Sequence, residues 1–77
     1  MVNPQGMDLH FWADHLVIDF PEDNIPILIA EENWKIWGND LVNSGTFNDN
    51  SAPDTDAYDN WFSWAQDVYY TMSNYGY

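Results

Sequence analysis

An all-α fold, three short helices in a degenerate internal repeat joined by ordered linkers, is predicted by two features of the sequence. Apolar residues recur at helical spacing around paired tryptophans, and the chain matches itself at a fixed shift. Displaced by 27 positions, Phe20 falls on Phe47, Pro26 on Pro53, Ala30 on Ala57, Asn33 on Asn60, Trp34 on Trp61, Trp37 on Trp64 and Asp40 on Asp67. A fainter copy lies at a shift of 25, where Leu9, Trp12, Ala13, Leu16 and Val17 meet Trp34, Trp37, Gly38, Leu41 and Val42. The predicted units are approximately 8–19, 20–43 and 47–73, within one small domain spanning 1–77.

The first helix is expected near 8–18, with Leu9, Trp12, Ala13 and Leu16 on one face. The segment after it has two readings. As a linker, 20–29 carries Pro, Asn and Asp; as part of an α+β alternative, His15 to Phe20 and Ile25 to Ala30 flank a four-residue turn and form an N-terminal β-hairpin. Pro26 argues against the hairpin because it has no N–H to give to a ladder. The second helix is expected near 30–43, striped by Ala30, Trp34, Trp37 and Leu41. A linker over 45–56 then leads to a third helix near 57–73, striped by Ala57, Trp61, Trp64, Val68 and Met72. Asp56 reads as its N-cap, with Asp59 in the first turn where the helix dipole favours an acid. Trp12, Trp34, Trp37, Trp61 and Trp64 are the expected structural core.

Composition narrows the function. Seventy-seven residues bury only roughly 60% of the surface the unfolded chain exposes, so stability has to come from dense packing or a partner. There is no cysteine, which excludes disulfide stapling and thiolate zinc sites, while five Trp, five Tyr and four Phe supply aromatic mass. Thirteen Asp and Glu face a single base, Lys35, for a net charge of -12. Such a charge repels nucleic acid and anionic membranes, so neither is an expected direct partner, and a basic protein is a candidate one. No apolar run is long enough to span a membrane, and the first residues lack the basic start and apolar stretch of a signal peptide.

Catalytic chemistry finds little to work with. The chain holds no Arg and no Cys, and Ser44, Ser51, Ser63 and Ser73 have no histidine near them in sequence. His10 with Asp14, and His15 with Asp19, each offer two ligands at helical spacing, which is fewer than a metal site needs. Asp49, Asn50, Asp54, Asp56 and Asp59 lack the spacing, the Gly and the distal Glu of a calcium loop. The reading is therefore non-enzymatic, with no metal and no cofactor. Acids such as Asp14 and Asp67 are expected to be solvated surface groups whose neutralisation relieves self-repulsion.

A second stripe on the third helix, Tyr58, Phe62, Ala65 and Tyr69, sits about 100° from the first. The matching positions of the second helix, Glu31, Lys35, Gly38 and Val42, are mostly polar. With Tyr75 and Tyr77 in the tail, this face is the expected partner-binding surface, through Tyr58, Phe62, Tyr69, Tyr75 and Tyr77.

The phrases Asn33-Trp34-Lys35-Ile36-Trp37-Gly38 and Asn60-Trp61-Phe62-Ser63-Trp64-Ala65 resemble the Trp-x-x-Trp-Ala helical segments of small virion-associated structural proteins of tailed bacteriophages. The resemblance implies an accessory role in a capsid, neck or tail fibre, with other virion subunits or further copies of the chain as partners, in the virion or the host cytoplasm. The alternative function is an acidic inhibitor that imitates nucleic acid, since twelve net charges match about six base pairs of duplex. The carboxylates are spread around all three units, whereas mimicry asks for one charged face.

Overall fold

The computed structural model describes residues 1–44 and 52–73, the last of these by its backbone alone. It is all-α. Helix α1 spans Leu9–Asp19, α2 Trp34–Asn43 and α3 Trp61–Ser73, and single 3₁₀ turns at Glu31–Asn33 and Thr55–Ala57 precede the last two.

Both ends of α1 have local causes. The Asp8 carboxylate accepts from the Phe11 N–H at 2.7 Å, and Phe20 closes the helix on the Leu16 carbonyl before Pro21, which has no N–H to extend it. His15 to Asp19 are thus helical, and no strand occurs among the described residues. The hairpin alternative does not form, because Leu16 is needed on the buried face of α1 and the Pro26 carbonyl is taken by the Trp37 indole at 2.8 Å.

The buried faces share one pattern. Leu9, Trp12, Ala13 and Leu16 in α1 correspond to Trp34, Trp37, Gly38 and Leu41 in α2, and to Trp64, Ala65 and Val68 in α3, where Met72 adds one more turn. Trp61, the remaining position, is only half-buried and packs at the margin, so its place differs from the core position expected of it.

Trp12, Trp37 and Trp64 meet at the centre. Their ring centroids lie 6.1, 6.1 and 6.2 Å apart, each pair edge to face at 72°, 90° and 82°. That geometry places positive ring edges against negative faces. Each indole N–H is a donor that burial would otherwise strand, and each reaches back to the chain segment leading into its own helix. Trp12 donates to the Val2 carbonyl at 3.0 Å, Trp37 to Pro26 at 2.8 Å and Trp64 to Pro53 at 2.9 Å. Helix and lead-in are clasped together three times, around one aromatic hub.

A small, buried residue follows each of these tryptophans, and at Gly38 neighbours come especially close. A Cβ on Gly38 would stand 2.8 Å from the Thr55 methyl and 3.1 Å from the Trp64 ring. Thr55, fully buried, donates its hydroxyl to the Asn39 side-chain carbonyl at 2.9 Å and pins the 3₁₀ turn to α2.

The third helix begins later than its acids suggest. Asp56 lies in the 3₁₀ turn, where its N–H donates to the Asp54 carboxylate at 3.1 Å, and Asn60 caps α3 by accepting from the Ser63 N–H at 2.9 Å. Between them Tyr58 is extended (φ -127°, ψ 148°), which interrupts the helix.

Candidate functional site

The aromatic residues of α3 and its lead-in divide between core and surface. Trp64 faces inward, and so does Ala65, which the second stripe had placed with the binding face; both are buried. Trp61, Tyr58 and Tyr69 are half-buried. Phe62, 37% exposed, stands edge-on to Trp61 at 5.7 Å, and Tyr70, 54% exposed, leans against Tyr69 at 5.5 Å. The Gln66 amide donates to the Tyr70 hydroxyl at 3.2 Å, which holds that ring along the helix. The surface therefore carries two ring pairs, one at the start of α3 and one further along, rather than a continuous stripe. Tyr75 and Tyr77 lie outside the described residues.

Tyr58 is tied to this face by a bond its sequence position does not suggest. Its hydroxyl donates to the Asp67 carboxylate, two turns into α3. The hydrogen bond, then partial burial, then the nearby negative charge all disfavour the phenolate and push the Tyr58 pKa above the usual tyrosine value. Asp67 is accordingly a positioned acceptor, in contrast to the freely solvated carboxylate expected of it.

The residues considered for metal or catalytic chemistry are dispersed. Among the described residues no three His, Cys, Asp or Glu side chains gather closely enough to hold a metal ion. The His15 ring sits edge-on to Phe11 at 4.9 Å, and the Ser44 hydroxyl donates to the Leu41 carbonyl at 2.7 Å. Ser63 is exposed on α3, while Asp49, Asn50, Ser51 and the Ser73 side chain lie outside the described residues.

One surface escaped the sequence reasoning. Ile27, Ile29 and Ile36 are among the most exposed large apolar side chains of the molecule. The signal was present in the alternation of Pro26, Ile27, Leu28, Ile29 and Ala30, which puts every second residue on the outside once no second strand covers the run. No helix of the described residues is long and apolar enough to cross a membrane. Comparison with protein-family models, with curated proteins and with solved structures finds no match to this chain.

Proposed function

We propose that this chain is a non-enzymatic assembly protein, a small accessory component of a phage particle, that docks onto neighbouring subunits through the outer face of α3. The docking half of the reading is carried by one observation. Phe62 and Tyr70 stay at the surface while Trp64, Ala65, Val68 and Met72 of the same helix complete the core. A domain this small gains most by burying its rings, and rings left outside after the core is closed are the usual anchors of an interface. The particle half rests on the resemblance of the two Trp-x-x-Trp segments to small virion proteins.

Raising salt screens the surface charge of a protein at -12 and leaves apolar contact intact. Docking through Phe62 is therefore expected to survive high salt and to disappear in Phe62→Ser. The measurement is oligomer size by sedimentation, together with the copy number of the chain recovered in purified particles, for both proteins at low and high salt. Association that collapses in high salt and ignores Phe62 would replace this reading with nucleic-acid mimicry.

A further inference from the structure

From Asn24 to Ala30 the backbone runs without turn, bend or helix. Along it exposure alternates: Pro26, Leu28 and Ala30 are half-buried, whereas Ile27 and Ile29 stand 87% and 84% in solvent. Two residues exposed to this degree, with Leu28 turned inward between them and Pro26 and Ala30 inward on either side, give this extended chain the two-faced alternation of a strand. Among the described residues no chain segment pairs with this extended run. No hydrogen bond among the described residues uses the backbone of Ile27, Leu28 or Ile29, and the Pro26 carbonyl is spent on Trp37. Beside the ribbon a groove opens toward α2, lined by Ile27, Ile29, Ile36 and Asp40, with Ile36 itself 65% exposed. A second groove on the α1 side is lined by Ile25, Ile27, Val17, His10 and Asp14.

The fold does not require these isoleucines. At the shift of 27 that aligns the two clearest units, Ile27, Ile29 and Ile36 fall on Asp54, Asp56 and Ser63, all exposed and polar. The intervening Leu28 falls on Thr55, which is buried. At the helical position shared by Ile36 and Ser63 the same architecture accepts a polar group, while Ile27 and Ile29 lie on extended chain where the aligned stretch forms the 3₁₀ turn Thr55–Ala57, and they bury almost nothing themselves. Three isoleucines in water weaken solubility without adding to the core, and that cost points to a partner that covers them.

We propose that the ribbon around Ile27, Leu28 and Ile29 takes an added strand from a basic protein, an extended segment in which apolar residues alternate with Lys or Arg. Its apolar side chains cover Ile27, Ile29 and Ile36, its backbone meets the unused N–H and C=O groups of the ribbon, and its cations face Asp40 in the groove wall. Charge decides between a basic strand and a second copy of this chain. Each groove contributes a carboxylate, Asp40 or Asp14, and the single Lys35 sits over the Trp34 ring at 5.7 Å, whereas a second copy would bring another -12 to the contact. This inference concerns a surface away from α3 and does not depend on docking through Phe62.

The test uses the full chain and a labelled peptide of alternating lysine and valine, followed by fluorescence anisotropy. A peptide with the same side chains but N-methylated at alternate amides, and one with glutamate in place of lysine, are the controls. The unmodified basic peptide is expected to bind at least about tenfold more tightly than either control. The double variant Ile27→Asp, Ile29→Asp changes two side chains that stand almost wholly in solvent, so in salt that screens the added charge it should stay folded, and it should lose affinity by about tenfold or more. It does so while gaining two negative charges, which makes the loss diagnostic. Tighter binding by that variant would reduce the effect to bulk charge and overturn the proposal, as would equal binding of the N-methylated peptide by the wild type. Self-association of the wild type at high salt that Ile27→Asp, Ile29→Asp abolishes would make the second copy the occupant and overturn it too.

Discussion

The indole nitrogens of Trp12, Trp37 and Trp64 carry more of the structure than their number suggests, because each joins a helix to the segment that enters it. Burying one such ring removes about 150–250 Å² from water, roughly 4–6 kcal/mol of transfer free energy as an upper bound. Replacing Trp37 or Trp64 by Phe keeps most of the ring and strands a proline carbonyl, so the cost should be about 1–3 kcal/mol for either. Trp61→Phe should cost clearly less, since Trp61 is half-buried at the core's margin. Urea denaturation of the three variants checks the order, and a Trp61 variant as damaged as the other two would remove the hub from its central role. Tyr58 supplies the second residue-scale expectation. Its raised folded pKa means the neutral phenol is favoured in the folded protein. That contribution is complete below the ordinary tyrosine pKa and is lost as pH climbs through the folded value, because above about 10 the unfolded phenol releases its proton first. The fall in stability above about pH 10 should therefore be steeper in the wild type than in Tyr58→Phe, measured as melting temperature against pH. Parallel curves would mean that the bond to Asp67 does not persist in solution.

At the scale of the element, capping separates the residues that look alike in the sequence. Asn60 satisfies the Ser63 N–H at the start of α3, whereas Asp56 belongs to an isolated turn. Asn60→Ala should cost about 1 kcal/mol, and Asp56→Asn should stay within a few tenths, by thermal denaturation. The reverse order would restore the cap to Asp56. The two positions show why element ends were unequally legible. Asp8 and Pro21 bracket α1 with local chemistry, so its limits could be read within a residue or so. The start of α3 could not, because Asp54, Asp56 and Asp59 are all competent caps and the choice falls to Tyr58, whose extended backbone goes with a bond to Asp67 on the next element. Asn33 makes the same point. It aligns with Asn60, yet its side chain caps nothing, since the 3₁₀ turn Glu31–Asn33 runs straight into α2. The tryptophan spacing exposed the core faces because a period of three and four residues is intrinsic to the helix. The surfaces were harder to read. Ala65 fits an aromatic stripe on a helical wheel but occupies the small position after Trp64 and is fully buried, and Tyr70 lies on neither stripe. Ile27 and Ile29 belong to a run that reads as linker or hairpin arm, and which of its residues face outward is set by tertiary contacts, Leu28 against the core and the Pro26 carbonyl to Trp37.

For the molecule as a whole, charge and packing oppose each other with almost nothing between them. Thirteen acids and one lysine leave little scope for attraction, and among the described residues no carboxylate pairs with Lys35. Added sodium chloride therefore screens mainly repulsion, over a Debye length that shortens from about 30 Å at 0.01 M to about 8 Å at 0.15 M. The melting temperature should rise with salt. Salt also strengthens apolar burial in a general way, so the electrostatic part needs its own control, and two carboxylates provide it. Asp14 is exposed on α1 with no hydrogen bond to another described residue, whereas Asp67 accepts the Tyr58 hydroxyl. Asp14→Asn removes one unit of repulsion and nothing else, so it should stabilise at low salt, and the gain should fade at high salt. Asp67→Asn removes the same charge but weakens a positioned bond, so it should be the less stable of the two at every salt concentration. The check is thermal denaturation of both variants and the wild type across a sodium chloride series. A wild type whose melting temperature falls with salt would show that attraction, from a bound cation or from ion pairs such as the Met1 ammonium with Asp19 at 3.9 Å, outweighs self-repulsion. A gain from Asp14→Asn that persists undiminished at high salt would show that the effect of that carboxylate is local.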